Sequence, residues 1–230
     1  MEIQVEEQEI TIIIGVEQHG GNQKLVFNEH MPRISSQNIF LQTVKDKCEE
    51  HNVKFILRNT NRININNTYV GGYFSKATKT TELVCATKSS EYESLLVHEF
   101  SHLEQWSEPY HVYKKVDKYT NDIDKWIAGK SIKNIEFKID QIKLLELDCE
   151  KRAVKNIRKY ELKIDIPTYI QKANCYILFY NYLKETRRWN KVHLIYSKEL
   201  LKLCPTKFMS ESYYSRIPKK IYRKFIELGI

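Results

Sequence analysis

The chain has 230 residues, 42% hydrophobic and 29% charged, with a formal net charge of +8. That apolar share supports a packed core and argues against disorder, and the length suits one domain with or without a helical extension. The longest apolar run of its most hydrophobic segment, CYILFY, falls far short of the ~20 residues a bilayer span needs, so no membrane partner is expected.

The acidic start, MEIQVEEQEI, has no signal-peptide character. Cysteines at positions 48, 85, 149, 175 and 204 form no CxxC pair, which predicts reduced thiols in a cytoplasm. EITIII (Glu9–Ile14) is a strand candidate, GVEQHGGNQ reads as a loop, and His19 and His30 are isolated surface histidines. IFLQTVKDKCEEH (Ile39–His51) has the periodicity of an amphipathic helix with Phe40 and Val44 inward. Short strands follow at VKFIL (Val53–Leu57), around Ile63 and Ile65, at TYVGGYFS (Thr68–Ser75) and at TELVCAT (Thr81–Thr87). Gly71-Gly72 suits a bulge or the close approach of another backbone.

The next segment, EYESLLVHEFSHLEQW, has no Gly or Pro until Pro109, and Ser89-Ser90 with Glu93 resembles a helix cap. It contains HEFSH (His98–His102), an HExxH string. Residues i and i+4 share a helix face, so both imidazoles can reach one metal ion. Glu99 follows the first histidine, where it can hold a water as general base. Leu96, Phe100 and Leu103 fall on the opposite, apolar face.

A catalytic zinc takes three protein ligands as a rule. His111 lies nine residues after His102 without the glycine of a metzincin spacing. In LLELDCEKRAV (Leu144–Val154), Glu146 and Glu150 share the stripe of Ile142, Leu145, Cys149, Ala153 and Ile157, while Asp148 turns toward Lys151, Arg152 and Lys155. Carboxylates on an apolar stripe are costly unless paired or bound to metal. Cys149 reads as small inward packing.

HEFSH followed by a second helix with an inward glutamate resembles the gluzincin branch of the zincin metallopeptidases. The resemblance covers roughly residues 52–160 and is similar also to small phage-type metallopeptidases. It implies an α+β, zincin-like fold, with a small mixed sheet packed on an active-site helix and further C-terminal helices. It implies zinc as cofactor, His98, His102 and Glu146 as ligands, Glu99 as catalytic base, and a peptide or protein substrate. Glu150 then orients a ligand histidine or is itself the third ligand, and it stands where Asp or Asn is usual in that family. A Tyr or His supporting the oxyanion is also implied, with Tyr110, His111, Tyr113, Tyr176 and Tyr180 as candidates.

Residues 107–135 carry Pro109, several Asp–Lys pairs and Trp126, and read as a connecting segment or a cleft-shaping insertion. A long helix is predicted from near Pro167, with Ala173, Tyr176, Ile177, Tyr180 and Leu183 on one stripe. YSKELLKL and PKKIYRKFIELGI suggest two short helices about a Pro205 turn and a Tyr-rich loop. These expectations divide the chain into a metallopeptidase core, 1–160, and a helical extension, 161–230, packed on it. Charge divides nearby: residues 1–150 carry a net −5 and residues 151–230 a net +13. A basic segment beside an acidic one points to an anionic partner, nucleic acid first, or to a solvated Lys-rich surface. A non-catalytic zinc protein is the remaining alternative, against which Glu99 argues.

Overall fold

The computed structural model describes residues 36–65, 68–76, 80–108, 112–189 and 192–230. The strand and loop expected before residue 35, and His19 and His30, lie outside them. Packing divides the chain into two units: residues up to Phe100 with Tyr160–Leu162, and Ser101–Lys159 with Lys163–Ile230.

The first unit is α+β. Helix α1 (Ser36–Glu50) ends where Asn52 takes a left-handed φ of 53°. Asparagine tolerates that conformation better than most residues. Strands β1 (Val53–Arg58), β2 (Ile63–Ile65), β3 (Thr68–Val70), β4 (Gly72–Lys76) and β5 (Thr81–Ala86) follow, then helix α2 (Tyr92–Ser107). The main sheet runs β1-β5-β4: β1 is parallel to β5, with Val53 opposite Thr81, and β4 is antiparallel to it, with Gly72 opposite Cys85. The parallel pairing needs a long crossover, which the β2–β3 hairpin and β4 supply.

Central strand β5 is covered on both faces, and Leu83, Val84, Cys85 and Ala86 are all fully buried. Strands so placed read as continuous apolar runs rather than alternating ones. On one face Val84 and Ala86 pack with Ile63, Ile56, Val70 and Tyr73. Helix α2 covers the sheet elsewhere, with Leu95 over Gly71 and Glu99 over Gly72. Phe100 meets Phe40 of α1 edge to face at 5.5 Å, and Phe40 also packs on Tyr160.

The stretch Thr68–Ser75, expected as one strand, is two. β3 pairs with β2, and β4 pairs with β5. Between them the Gly71 carbonyl accepts from the Ala86 N–H at 2.9 Å.

The second unit is helical. It holds the C-terminal part of α2, then α3 (Val112–Val116), α4 (Lys118–Ile127), α5 (Ile135–Lys159), α6 (Ile166–Thr186), a 3-10 turn at Val192–Tyr196, α7 (Lys198–Leu201), a second 3-10 turn at Glu211–Ser215, and α8 (Lys219–Glu227). Asp165 starts α6 by accepting from the Thr168 N–H at 3.0 Å, with Pro167 in the first turn, the arrangement preferred at helix N-termini. α6 is buried nearly all round rather than along one stripe: Cys175, Leu178, Phe179 and Tyr182 are as enclosed as the expected Ala173, Ile177 and Leu183. The cause is the C-terminal chain, whose Ile195, Leu200, Tyr214, Ile221 and Phe225 pack on the faces left by α5.

Lys143 of α5 is 5% exposed, and its ammonium donates to Asp140, to Asn181 Oδ1 and to the Tyr214 carbonyl. Burial lowers its pKa against the raising effect of Asp140. Arg187 ends α6 in a left-handed conformation and sends its guanidinium to the Trp126 and Lys130 carbonyls. Among the described residues no helix is long and apolar enough to cross a membrane.

Candidate metal centre

Ser89 launches α2: its Oγ accepts from the Glu91 N–H at 3.2 Å and its carbonyl from the Tyr92 N–H at 3.1 Å. Glu93 in the first turn complements the positive end of the helix dipole. Leu96, Phe100 and Leu103 are at most 3% exposed, as their spacing predicts, so the apolar face fixes the helix rotation. That rotation sets His98 half-buried and His102 one turn later, 8% exposed.

His98, His102 and Cys149 each offer one ligand atom, and these atoms lie within 4.8 Å of one another. Two imidazole nitrogens and a thiol are donors that suit zinc and other soft or borderline divalent ions. The group could therefore hold a metal ion. Cys149 is fully buried, which fits the packing role read from the sequence. Its proximity to the histidine nitrogens is not legible there, because it depends on how the helices meet.

Glu99 is 7% exposed. An ideal Cβ built on Gly72 would lie 3.3 Å from its Cγ, so the glycine makes room for this side chain. The charge of Glu99 adds to burial in pushing the Cys85 thiol well above its ordinary pKa.

His102 is held from several sides. Its Nδ1 is 3.0 Å from Gln105 Oε1. The Gln105 Nε2 donates to the Leu145 carbonyl at 2.9 Å and to Asp148 Oδ2 at 2.8 Å. Asp148 is also paired with Arg152, as its outward position predicts, and the Arg152 guanidinium reaches Glu108. The ring of Tyr113 meets that of His102 edge-on at 5.7 Å.

The Glu146 carboxylate stands 3.7 Å from His102 Nε2. Glu150, one turn on, is 7% exposed, and its charge adds to burial in raising the Tyr169 hydroxyl pKa. The hydroxyls of Tyr176 and Tyr180 lie 3.0 Å apart. Burial, with Tyr180 and Glu146 adding to it at Tyr176 and Glu146 adding to it at Tyr180, holds both hydroxyls well above the usual phenol pKa, so both stay protonated. Tyr110 and His111 lie outside the described residues.

All five cysteines are free and buried, in line with the unpaired set read from the sequence. No family model, no curated protein and no solved structure matches this chain.

Proposed function

We propose that the chain is a zinc-dependent metallopeptidase that hydrolyses peptide bonds, with His98, His102 and Glu146 as ligands and Glu99 as general base. The observation that carries the reading is the donor group of His98, His102 and Cys149 on and beside a helix whose HExxH string also supplies a buried glutamate. A bound zinc would polarise the scissile carbonyl and lower the pKa of a water toward neutrality. Glu99 takes that water's proton and delivers it to the leaving amine. Strand β4 lies at the edge of the described sheet, with Gly72 against Glu99. An extended peptide adding there would run beside the base, as strand-addition ligands do.

Its distance from His102 supports Glu146 as the third ligand, while the donor atoms that lie within 4.8 Å of one another belong to His98, His102 and Cys149. The 3.7 Å separation of Glu146 from His102 Nε2 exceeds a hydrogen bond. A separation of that size leaves room for a cation that both groups would hold. Glu150 is the alternative carboxylate. Cys149 favours a second reading, in which a thiolate completes the set and the protein is a non-catalytic zinc binder. Cobalt substitution separates the two, since a thiolate ligand adds strong near-ultraviolet charge-transfer absorption that Cys149→Ser removes.

The test of the main reading is the zinc content of protein purified without added metal, followed by Glu99→Gln. One zinc per chain is expected, with metal retained and peptide hydrolysis lost in the variant. His98→Ala should lose the metal. Full activity in Glu99→Gln overturns the mechanism. A nucleic-acid address through residues 151–230 rests on their net +13 alone. Salt-sensitive DNA or RNA binding that survives zinc removal would support it.

A further inference from the structure

We propose that Gln105 is a positioning residue for His102, fixing its imidazole as the Nδ1–H tautomer with the Nε2 lone pair directed to the metal side of the ring. The inference deepens the metallopeptidase reading and rests on it for the role of Nε2. The orientation of a glutamine amide is settled by its neighbours, because its oxygen and nitrogen ends have nearly the same shape. Here the neighbours are decisive. One end of the Gln105 side chain faces the Leu145 carbonyl and the Asp148 carboxylate, both of which only accept.

That end is therefore the NH2 group. A flipped amide would set its oxygen against two other oxygens, forfeit both of those hydrogen bonds and keep at most one donor satisfied, at His102 Nδ1, in a position 4% exposed. Burying such groups unsatisfied costs about 1–3 kcal/mol each.

With its nitrogen so committed, Gln105 presents Oε1 to His102 Nδ1 at 3.0 Å. A carbonyl oxygen accepts only, so Nδ1 carries the proton. A neutral imidazole has one N–H and one lone pair, which leaves the lone pair on Nε2. Nε2 is also the nitrogen that looks toward Glu146. Two lone-pair atoms facing each other at 3.7 Å suit a cation that both can bind. The clamp continues outward: Asp148, which accepts from Gln105, is held by Arg152, and Arg152 by Glu108 at the end of α2. One polar chain thus joins His102 to α5 and returns to α2.

The tautomer is read by long-range 15N–1H NMR of the imidazoles in metal-free protein at about pH 8, above the ordinary histidine pKa of roughly 6.5. His102 in the native sequence should show Nδ1–H alone. In Gln105→Leu, which keeps the volume and removes the acceptor, the signal should become a mixture of tautomers. Zinc affinity, measured by competition with a chromophoric chelator, should fall roughly 10- to 100-fold, the usual effect of losing a histidine's outer partner. An Nε2–H His102 in the native protein overturns the proposal without any variant. So does a folded Gln105→Leu with unchanged tautomer and zinc affinity. Native protein that shows the Nδ1–H form but binds no zinc overturns the metallopeptidase reading and leaves the orientation of His102 by Gln105 standing.

Discussion

Gly72→Ala isolates the fit between sheet and helix on which Glu99 depends. The added Cβ would sit 3.0 Å from the Val84 carbonyl oxygen, 3.1 Å from Cys85 Sγ and 3.3 Å from Glu99 Cγ. Contacts this short force neighbours to shift, and overpacking of that kind costs about 1–3 kcal/mol. Against it stands the gain from replacing glycine in a strand, about 0.4–1 kcal/mol. The strain wins because the nearest obstacle is backbone of the central strand, hydrogen-bonded on both sides and unable to rotate away. The net is a loss of about 1–2 kcal/mol, or roughly 2–8 °C in Tm at 2–4 °C per kcal/mol for a chain of this size. Gly71→Ala is the control. Its Cβ would come within 2.4 Å of Leu95 Cδ1, a closer clash. The obstacle there is the end of a flexible side chain, so the cost is smaller. Thermal unfolding followed by circular dichroism measures both. A Gly72→Ala protein as stable as the native one, or less damaged than Gly71→Ala, refutes the argument.

Asp140 accepts from both Lys143 and Lys184. Burial works to raise its pKa, but the two lysines outweigh it and the pKa is lowered. The stability it contributes is therefore complete above the unfolded value of about 3.9 and lost as pH falls through the lower folded value. Urea melts should show Asp140→Asn trailing the native protein by a constant margin near neutrality, with the gap closing in acid. Phe179→Ala removes a fully buried ring packed on Phe225, Tyr182 and Trp189. It should cost about 3–5 kcal/mol, seen as a lower denaturation midpoint. Chelator treatment should lower the Tm of native protein and leave that of His98→Ala unchanged, because a ligand bound only to the folded state stabilises it.

Much of the first unit was legible because its patterns are local. The apolar face of α2, the cap at Ser89 and the buried run of β5 follow from spacing that neighbouring residues impose on one another. The HExxH string placed two of the donors for the same reason. Pairing of β1 with β5 was not legible, since a parallel partner is chosen across the whole intervening segment. Gly71 and Gly72 signalled a bulge or the close approach of another backbone; at Gly72 the nearest neighbour is the Val84 carbonyl of β5, with Glu99 just beyond, whereas at Gly71 it is the Leu95 side chain of α2.

Gln105 gave no signal at all: a glutamine three residues after a histidine is common, and its meaning comes from Leu145 and Asp148, some forty residues away. Cys149 was read correctly as buried and small. Its chemistry emerged only with the histidines beside it. The single stripe expected on α6 widened because the segments that cover its other faces have weak patterns of their own, including an α7 of only 4 residues.

The five enclosed thiols turn the chain into its own gauge of breathing. Cys48 and Cys85 belong to the first unit, and Cys149, Cys175 and Cys204 to the second. None can meet a bulky alkylating reagent until the structure around it opens, so modification rates report opening free energies site by site. Peptide mapping after a timed pulse would show which unit opens first and whether the two open together. Burial also pushes Cys48 up to about 12 and Cys85 well above its usual value. Unreactive when closed, each thiol becomes an ordinary nucleophile once exposed, and the contrast between the two states sharpens the reading.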